Sequence, residues 1–382
     1  MIPYGKQDIN DDDINAVIDV LKSDFVTQGP KVPEFEQSLK YYTGASYAVA
    51  VNSGTSALHI ACQALEVGKG DIVWTSPITF AASSNAALYL GADVDFVDID
   101  ETSYNISIDR LNRKLIEAKS IGRLPKVVIP VHLCGQSCDM AAISELAEKY
   151  DFKIIEDASH AIGGKYKNEP IGNSTYSDIT VFSFHPVKIV TTAEGGACMT
   201  NDENLAKKME LLRSHGITRD ENLMQGDSHG PWYYQQIDLG YNYRMTDIQA
   251  ALGTSQMKRI DDFVKKRNQL AARYDRLLLS EDVTIPLQHD DCYSARHLYI
   301  IKLKDGYDHR KIFEKMRDGG IGVNLHYIPV HLQPYYQNLG FNQGDFPAAE
   351  DYYSKAITLP LYPTLSEDDQ DHVVETLLNA LK

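Results

Sequence analysis

Short apolar runs alternate with segments of helical pattern through the first half of the chain. The apolar runs are residues 47–51, 71–74, 94–97, 126–131 and 153–157, and helices are predicted between them. Strands that alternate with helices in this way form a sheet whose faces are both covered. The sequence therefore predicts an α/β fold with an open, largely parallel sheet.

Four residues fall at the ends of predicted strands. Asn52 and Phe80 follow the first and second runs, Asp157 closes the fifth, and Ser183 follows a further apolar run at 179–182. Ligands of open parallel sheets bind beyond the carboxyl ends of the strands. We therefore expect a binding site that includes these four positions.

Lys188 lies on the segment that leaves the run at 179–182, between Ser183 and the turn at 191–196. A lysine amine can condense with an aldehyde while nearby hydroxyl groups bind the phosphate of the same cofactor. A lysine in a loop is more often only a solvated charge. The cofactor hypothesis therefore depends on the residues that accompany Lys188.

The turn Asn52-Ser53-Gly54-Thr55-Ser56 connects a predicted strand to a predicted helix. Free N–H groups at a helix N-terminus, together with hydroxyl groups, favour an anion. The turn has neither the Walker pattern nor the G-x-G-x-x-G pattern. A simple helix cap is the alternative interpretation.

Asp157 ends an apolar strand, and a carboxylate there needs a partner because an unpaired buried charge is costly. A protonated pyridine nitrogen would be such a partner, since an aspartate keeps that ring cationic. The alternative is an aspartate that caps a helix or a turn.

The length of 382 residues exceeds one ordinary domain. We expect an N-terminal arm at 1–12, a large domain at 13–250 and a smaller C-terminal domain at 251–382. Asp11 or Asp12 is predicted to cap a helix over 13–22, and a long helix at 258–279 to lead to the second domain. There, strands are predicted at 297–303 and 321–328. Residues 218–237 are predicted to form a long polar insertion, of a length typical of functional or interface loops.

The net charge of −16 argues against nucleic acid and anionic membranes as partners. No apolar run approaches the ~20 residues that cross a bilayer, and the N-terminus lacks an apolar signal core. Five cysteines in a chain of this length fit a reduced compartment, so a cytoplasmic protein is expected. His132, Cys134 and Cys138 suggest zinc as an alternative, but only one such cluster exists, so no metal is expected.

Taken together, these motifs resemble those of the DegT/DnrJ/EryC1/StrS sugar aminotransferases, which are pyridoxal phosphate enzymes of fold type I. The resemblance runs nearly from end to end. Its motifs are Thr27-Gln28-Gly29, residues 52–58, 156–161 and 183–196 with Lys188, Gly240-Tyr241-Asn242-Tyr243-Arg244, and residues 326–331. It implies a large, mostly parallel sheet domain and a smaller C-terminal α+β domain.

The resemblance implies pyridoxal 5'-phosphate as the cofactor. Lys188 would be the catalytic residue that attaches to it and then moves a proton, while Asp157 would pair with the pyridine nitrogen. Phe80 would stack on the ring, and Asn242 would reach the phosphate of a neighbouring subunit, so the active site would exist only in a homodimer. The cofactor-binding set implied is Gly54, Thr55, Ser56, Phe80, Asp157, His160, Ser183, Lys188 and Asn242.

The resemblance also implies the reaction, which is transfer of an amine from L-glutamate to C4 of a UDP-linked 4-keto-6-deoxy-N-acetyl hexosamine, with ping-pong kinetics. Within the family, residues 183–196, 213–216 and 230–234 are most similar to enzymes of pseudaminic acid synthesis. The substrate-contacting set implied is Thr27, Gln28, Lys31, His185, Arg244 and Tyr327. Because the chain is acidic overall, a local basic pocket is also needed for the diphosphate, with Lys31, Arg213, Arg219 and Arg244 as its candidates.

Three alternatives remain open at this point. The first is a transaminase for another nucleotide 4-keto sugar, either D-configured and UDP-linked or linked to GDP or dTDP. The second is a pyridoxal phosphate-dependent sugar dehydratase, although those relatives carry His where this chain has Lys188. The third is a non-enzymatic regulator that senses the cofactor, although such chains add a DNA-binding module for which this chain has no room.

Overall fold

The computed structural model describes residues 1–279 and 282–382, in which strands and helices alternate. The strands are β1 (Ile2–Pro3), β2 (Tyr47–Val51), β3 (Ile72–Thr75), β4 (Asp93–Phe96), β5 (Val127–Ile129), β6 (Lys153–Asp157), β7 (Lys165–Tyr166), β8 (Glu169–Pro170), β9 (Ile179–Ser183), β10 (Gly196–Thr200), β11 (Ile217–Thr218), β12 (Gln235–Gln236), β13 (Val283–Thr284), β14 (Cys292–Tyr293), β15 (Tyr299–Leu303), β16 (Ile321–Gly322) and β17 (Ala356–Leu359). The helices are α1 (Asp11–Leu21), α2 (Lys31–Thr43), α3 (Gly54–Ala64), α4 (Ala82–Tyr89), α5 (Ile108–Ser120), α6 (Met140–Tyr150), α7 (Glu203–Leu212), α8 (Asp247–Met257), α9 (Ile260–Leu277), α10 (His309–Asp318), α11 (Pro334–Gln337), α12 (Pro347–Lys355) and α13 (Glu367–Ala380).

A 7-stranded sheet with the order β2-β10-β9-β6-β5-β3-β4 forms the centre of the larger part of the molecule. From β9 to β4 every neighbouring pair is parallel, which confirms the predicted α/β class. Helices cover both faces, and the buried strand residues contribute to four apolar clusters. Such a sheet has one edge at which the parallel strands end, and a ligand is expected there.

The sequence patterns missed β10, which lies between β2 and β9 and runs antiparallel to both. Because β10 is antiparallel to each neighbour, β2 and β9 point in the same direction. The carboxyl ends of β2, β6 and β9 therefore lie along one edge of the sheet. The start of β10, at Gly196, lies at that edge as well.

The first helix begins earlier than the sequence pattern predicts. Asn10, rather than Asp11 or Asp12, is the cap: its side chain accepts from the Asp13 N–H at 3.0 Å, and Asp13 accepts from the Asn10 N–H at 3.1 Å. This reciprocal pair is a capping box, in which the third helical residue turns back to the cap. The prediction was wrong because it placed Asp13 at the start of the helix instead of inside its first turn.

The C-terminal part has a three-stranded antiparallel sheet, β13-β15-β17, which shares an apolar cluster with α9, α10 and α13. The arm at 1–12 joins this part, because Ile2 pairs with Ile321 in the parallel pair β1–β16. Helix α8 runs across the boundary expected at 250/251, so the domain limits stay a prediction. Within the described residues no helix is long and apolar enough to span a bilayer.

One further prediction is wrong in its length, and the predicted insertion gains a short hairpin at its base. The strand predicted at 321–328 is limited to β16, because after a bridge between Asn324 and Thr358 the chain turns away from the sheet. The insertion at 218–237 is anchored by the short hairpin that pairs β11 with β12.

Candidate active site

A cavity of about 430 Å³ lies beyond the carboxyl ends of β2, β6 and β9. Its volume falls in the range of small-molecule sites. Nine of the residues singled out from the sequence line it: Gly54, Thr55, Phe80, Asp157, His160, Ser183, His185, Lys188 and Tyr327. The fold therefore brings together positions that are distant in the sequence, as expected from the ends of the predicted strands.

Lys188 lies half-buried in this cavity. Burial lowers the pKa of its amine from 10.5 to about 8, and the nearby negative charge of Asp157 partly offsets that shift. A lysine with a lowered pKa carries more of the free amine, which is the nucleophilic form. Lys188 is thus suited to condense with an aldehyde near neutral pH.

Asp157 is only 4% exposed and ends β6 at the cavity. Its carboxylate accepts two hydrogen bonds, from Ser83 Oγ at 2.6 Å and from the Ser159 N–H at 3.1 Å. A carboxylate has about four acceptor sites, so it can still accept from a ligand. A protonated ring nitrogen would add a positive partner to this buried charge.

The turn between β2 and α3 supplies a helix N-terminus. Ser53 caps α3, since its Oγ accepts from the Ser56 N–H at 3.0 Å, and Ser53, Gly54 and Thr55 line the cavity. A Cβ added to Gly54 would lie 2.9 Å from Ser183 Cβ, so the turn is seated directly on the end of β9. Helix N–H groups, Thr55 and Ser183 together form a cradle for an anion such as phosphate.

Ser56 lies outside this cradle, contrary to the role that the resemblance implies for it. It is 7% exposed, and its hydroxyl donates to Asn52 Oδ1 at 2.7 Å. Ser56 is the third residue of α3, and its side chain faces the cap rather than the cavity. Its hydroxyl thus stabilises the turn.

Three buried histidines form another wall. His160 Nε2 lies 3.0 Å from the Tyr327 hydroxyl, and the ring centroids of His160 and His297 are 4.5 Å apart. Burial, together with the charge of Lys188, lowers the pKa of His160, of His297 and of His326, the last to about 3. All three imidazoles are therefore neutral at physiological pH. His160 Nδ1 is buried without a partner in the described structure, so a ligand atom in the cavity can satisfy it.

Phe80 lies at the mouth of the cavity, where its side chain is 63% exposed. Its ring centroid is 6.3 Å from that of Tyr327. An exposed aromatic face that borders a cavity with a carboxylate can stack on a flat ligand ring.

Several residues implied as ligand contacts do not line this cavity. Thr27 bridges to Thr246, Arg244 bridges to Val51, and the backbone carbonyl of Asn242 accepts from Asn52 Nδ2 at 3.3 Å. Arg244 and Asn242 thus lie beside the carboxyl end of β2, next to Thr246 and Thr27, but outside the cavity. The implied contacts outside the cavity are Thr27, Gln28, Lys31, Asn242 and Arg244, which we call the outer cluster.

The expected basic pocket is not formed by this cavity. Arg213 forms an ion pair with Glu36 and donates to the Ala50 carbonyl at 2.8 Å, so it holds β2 against α2 and α7. Lys31 pairs with Glu34 at 2.7 Å, and Arg219 is exposed on the surface. Lys188 is therefore the cation that the cavity itself contributes.

The sequence analysis missed Tyr4, His297 and His326, which also line the cavity. Tyr4 reaches it because β1 pairs with β16 and because the Tyr4 carbonyl accepts from the Leu361 N–H at 3.0 Å. No local pattern in the arm indicates this contact, since it depends on a strand pairing across more than 300 residues. For His326, the motif at 326–331 was the available signal.

The zinc alternative is not supported by the geometry. His132 Nε2 lies 2.8 Å from Glu156, and His132 Nδ1 accepts from the Cys138 N–H at 3.1 Å, so both ring nitrogens are engaged. Among residues 1–279 and 282–382 there is no group of three or more His, Cys, Asp or Glu side chains placed to hold a metal ion.

The cavity fits pyridoxal phosphate by the chemistry of its walls. An anion cradle lies at the end of β2 and β9, a buried carboxylate at the end of β6, and an amine of lowered pKa lies between them. The unpartnered His160 Nδ1 adds a polar contact. Phosphate, pyridine nitrogen and aldehyde are the three groups that these walls match.

Comparison with known proteins gives the same result. The sequence profile of the DegT/DnrJ/EryC1/StrS aminotransferase family matches residues 7–378. The chain is 40% identical to the spore coat polysaccharide biosynthesis protein SpsC of Bacillus subtilis, over 100% of this chain and 97% of SpsC. It is 38% identical to a UDP-4-amino-4,6-dideoxy-N-acetyl-beta-L-altrosamine transaminase of Campylobacter jejuni, over 100% of this chain and 98% of the relative.

A solved structure is similar over the whole chain as well. Spr1654 of Streptococcus pneumoniae, described as a sugar aminotransferase and solved in its PMP form, superposes with a TM-score of 0.92 at 32% identity, over 100% of this chain and 99% of Spr1654. The fold type I architecture expected from the sequence is thus confirmed.

Proposed function

The chain belongs to the DegT/DnrJ/EryC1/StrS aminotransferase family, and we propose that it is a UDP-4-amino-4,6-dideoxy-N-acetyl-beta-L-altrosamine transaminase of pseudaminic acid synthesis. Family membership makes it a pyridoxal phosphate-dependent sugar aminotransferase. The observation that carries this chemistry is Lys188, an amine with a pKa of about 8 beside the buried Asp157. The particular sugar is supported by the relative from Campylobacter jejuni.

When bound, pyridoxal phosphate carries the amine and accepts electrons from the carbon that loses a proton. The chain supplies the rest. Lys188 would hold the cofactor through its amine, and its Nζ, once free, would move the proton that the Cα of the amino donor loses. Asp157 would keep the ring nitrogen protonated, while Thr55, Ser183 and the N-terminus of α3 would hold the phosphate. Donor and keto sugar use the same site in turn, so ping-pong kinetics are expected.

The substrates are an amino donor, for which we propose L-glutamate, and a UDP-linked 4-keto-6-deoxy-N-acetyl hexosamine. A nucleoside diphosphate is an anion, yet the chain has a net charge of −16 and the three buried histidines of the cavity, His160, His297 and His326, are neutral. Further cations must therefore come from outside the cavity. The outer cluster contains two, Lys31 and Arg244, which we propose approach the cavity of a second subunit.

An exposed apolar surface supports this homodimer. On α1, Ile14, Ile18 and Leu21 are spaced along one helix face and are 48%, 36% and 58% exposed. Beside them, a groove of about 380 Å³ extends to Pro186, two residues before Lys188. Apolar patches of this kind mark protein interfaces. A second copy that covers this face would lie next to the lysine loop.

Subunit exchange tests whether the active site is shared. We expect Lys188→Ala and Asn242→Ala homodimers to be inactive, the second because the partner's phosphate contact is lost. A mixed dimer would have one site with both changes and one site with neither. Mixing the two inactive proteins under exchange conditions should therefore restore about a quarter of wild-type turnover, as expected for random pairing in a two-fold dimer. If Asn242 acts on its own chain, no activity returns.

Half-reactions test the substrates. The purified enzyme is converted to its amine form with L-glutamate, the donor is removed, and UDP-4-keto-6-deoxy sugars are added one at a time while the visible absorbance of the cofactor is followed. Recovery with the β-L-arabino ketose alone supports the proposed sugar. Recovery of the absorbance only with a D-configured ketose would still support an aminotransferase but would contradict the proposed sugar. This second outcome is worth testing because the chain is also similar to the relative from Bacillus subtilis, which is named for spore coat polysaccharide. Lys188→Ala is the control without turnover.

A further inference from the structure

Asp157 also accepts a hydrogen bond from helix α4, which has no role in the reaction described above. Ser83, in the first turn of α4, donates to Asp157 Oδ2 at 2.6 Å, and the Thr79 hydroxyl lies 2.7 Å from Ser83 Oγ. Thr79, Ser83 and Asp157 are 2%, 0% and 4% exposed, so no bulk water competes for these bonds. A short bond between a hydroxyl and a carboxylate is among the stronger hydrogen bonds in proteins.

The chemistry of the three groups fixes the direction of the bonds. An ionised carboxylate only accepts, and a serine hydroxyl has one hydrogen to give. Ser83 therefore gives its hydrogen to Asp157, and Thr79 must give its own hydrogen to Ser83. The three groups form a one-way relay that ends on the carboxylate.

The relay fixes a torsion that is otherwise soft. The terminal torsion of an aspartate is broad, so a carboxylate held by one donor can rotate. The Ser159 N–H, in the loop after β6, holds Oδ1, and the Ser83 hydroxyl, on α4, holds Oδ2. Two donors on different elements leave the carboxylate one orientation.

The same segment carries Phe80. It lies between Thr79 and Ser83, and the Ser83 N–H donates to the Phe80 carbonyl at 3.2 Å, which closes the segment as a turn. One turn of the chain therefore sets both the aromatic side chain at the mouth of the cavity and the orientation of the carboxylate inside it.

We propose that Ser83, oriented by Thr79, is a positioning residue that fixes Asp157 for its contact with the pyridine nitrogen of the cofactor. Ser83 acts through Asp157 and touches neither donor nor sugar. The inference rests on the use of pyridoxal phosphate by this cavity and is independent of which keto sugar is the substrate.

Cofactor affinity tests this role without turnover. In a Lys188→Ala background the covalent link is absent, so the dissociation constant of pyridoxal phosphate reports the remaining contacts. Ser83→Ala should raise that constant about tenfold or more, because it removes a hydrogen bond to a charged group. Thr79→Val, which keeps Ser83 and removes only the first member of the relay, should raise it by a smaller factor.

Ser84→Ala is the matched control. Ser84 is a neighbouring serine of α4, 0% exposed, whose hydroxyl lies 2.6 Å from the Tyr336 hydroxyl instead of contacting Asp157. It should weaken the fold as Ser83→Ala does and leave cofactor affinity unchanged, with the thermal unfolding of both apoproteins measured in parallel. With Lys188 intact, Ser83→Ala should lower kcat and leave the KM for the sugar unchanged.

Wild-type cofactor affinity in Ser83→Ala overturns the proposal, and so does an equal loss in Ser83→Ala and Ser84→Ala. If Ser83→Ala does not fold, Thr79→Val decides, since an unchanged dissociation constant there contradicts the relay. Failure of the aminotransferase assignment is a separate result, in which the wild-type protein itself does not bind pyridoxal phosphate.

Discussion

At the scale of single residues, burial and the charge of Asp157 have opposite effects on Lys188. Burial disfavours the ammonium form of Lys188, while Asp157 favours it, and burial is the larger cause because the pKa falls to about 8. At pH 7 the free amine is then about a tenth of the total, far more than for an exposed lysine. Asp157 also retains acceptor sites for a ligand. The pair thus provides a nucleophile and an anchor for a cationic ring in one cavity.

The rate of cofactor attachment should follow this lowered pKa. When pyridoxal phosphate is added to the apoprotein at different pH values, attachment to Lys188 should rise with pH and level off above an apparent pKa of about 8. The sign follows from the chemistry, since only the unprotonated amine attacks. Reduction with borohydride at short times, followed by mass spectrometry of the peptide that carries Lys188, measures the rate.

Asp157→Asn supplies the internal check on that profile. Because Asp157 raises the pKa of Lys188, its neutral replacement should move the midpoint to lower pH. A wild-type midpoint near that of an exposed lysine would contradict the lowered pKa.

At the scale of elements, the α3 turn lies directly against the start of β10. A Cβ added to Gly196 would lie 2.5 Å from the Ser53 carbonyl oxygen and 2.7 Å from the Gly54 nitrogen. These are backbone atoms, which cannot move aside as a flexible side chain would. Only glycine allows β10 to enter the sheet beside the phosphate-binding turn.

Gly196→Ala should therefore displace the turn. We expect a loss of about 1–3 kcal/mol in the free energy of unfolding, as for other overpacked sites, and weaker binding of pyridoxal phosphate. Gly68→Ala is the control, because a Cβ there meets nothing within 4 Å. Urea denaturation of the apoproteins and cofactor titration measure the two effects. Equal behaviour of both variants would show that the close approach has no consequence for the site.

The sequence predicts those strands and helices whose pattern can be seen in a short stretch of residues. The runs that end at Asn52, Asp157 and Ser183 have the apolar pattern of buried parallel strands, and those ends do meet at one cavity. β10 was missed because the run Gly196–Thr200 contains few strongly strand-favouring residues and gains its stability from pairing with β2 and β9. Tyr4 and Ser83 were missed because their contacts depend on pairings and packing that no local spacing reveals.

At the scale of the whole molecule, three regions differ in charge and polarity: the cavity, the outer cluster and the exposed face of α1. The cavity contributes one cation, the outer cluster lies beside it but outside it, and α1 exposes an apolar face that continues to Phe25, which is 54% exposed. In a single subunit the cations Lys31 and Arg244 do not line the cavity, and the apolar face stays partly exposed. The proposed two-fold dimer would account for both features, if one contact buried the face and brought each outer cluster to the other subunit.

Charge on the α1 face should therefore separate the subunits. The double change Ile14→Asp and Ile18→Asp places two carboxylates on a face that the dimer would bury, and burial of unpaired charge is costly. We expect sedimentation to show a monomer with weaker cofactor binding and little turnover. Ile121→Asp, at a position that is 70% exposed beyond α5, should remain dimeric and active. A fully active monomer would contradict the shared site, and an unchanged dimer would place the interface elsewhere on the molecule.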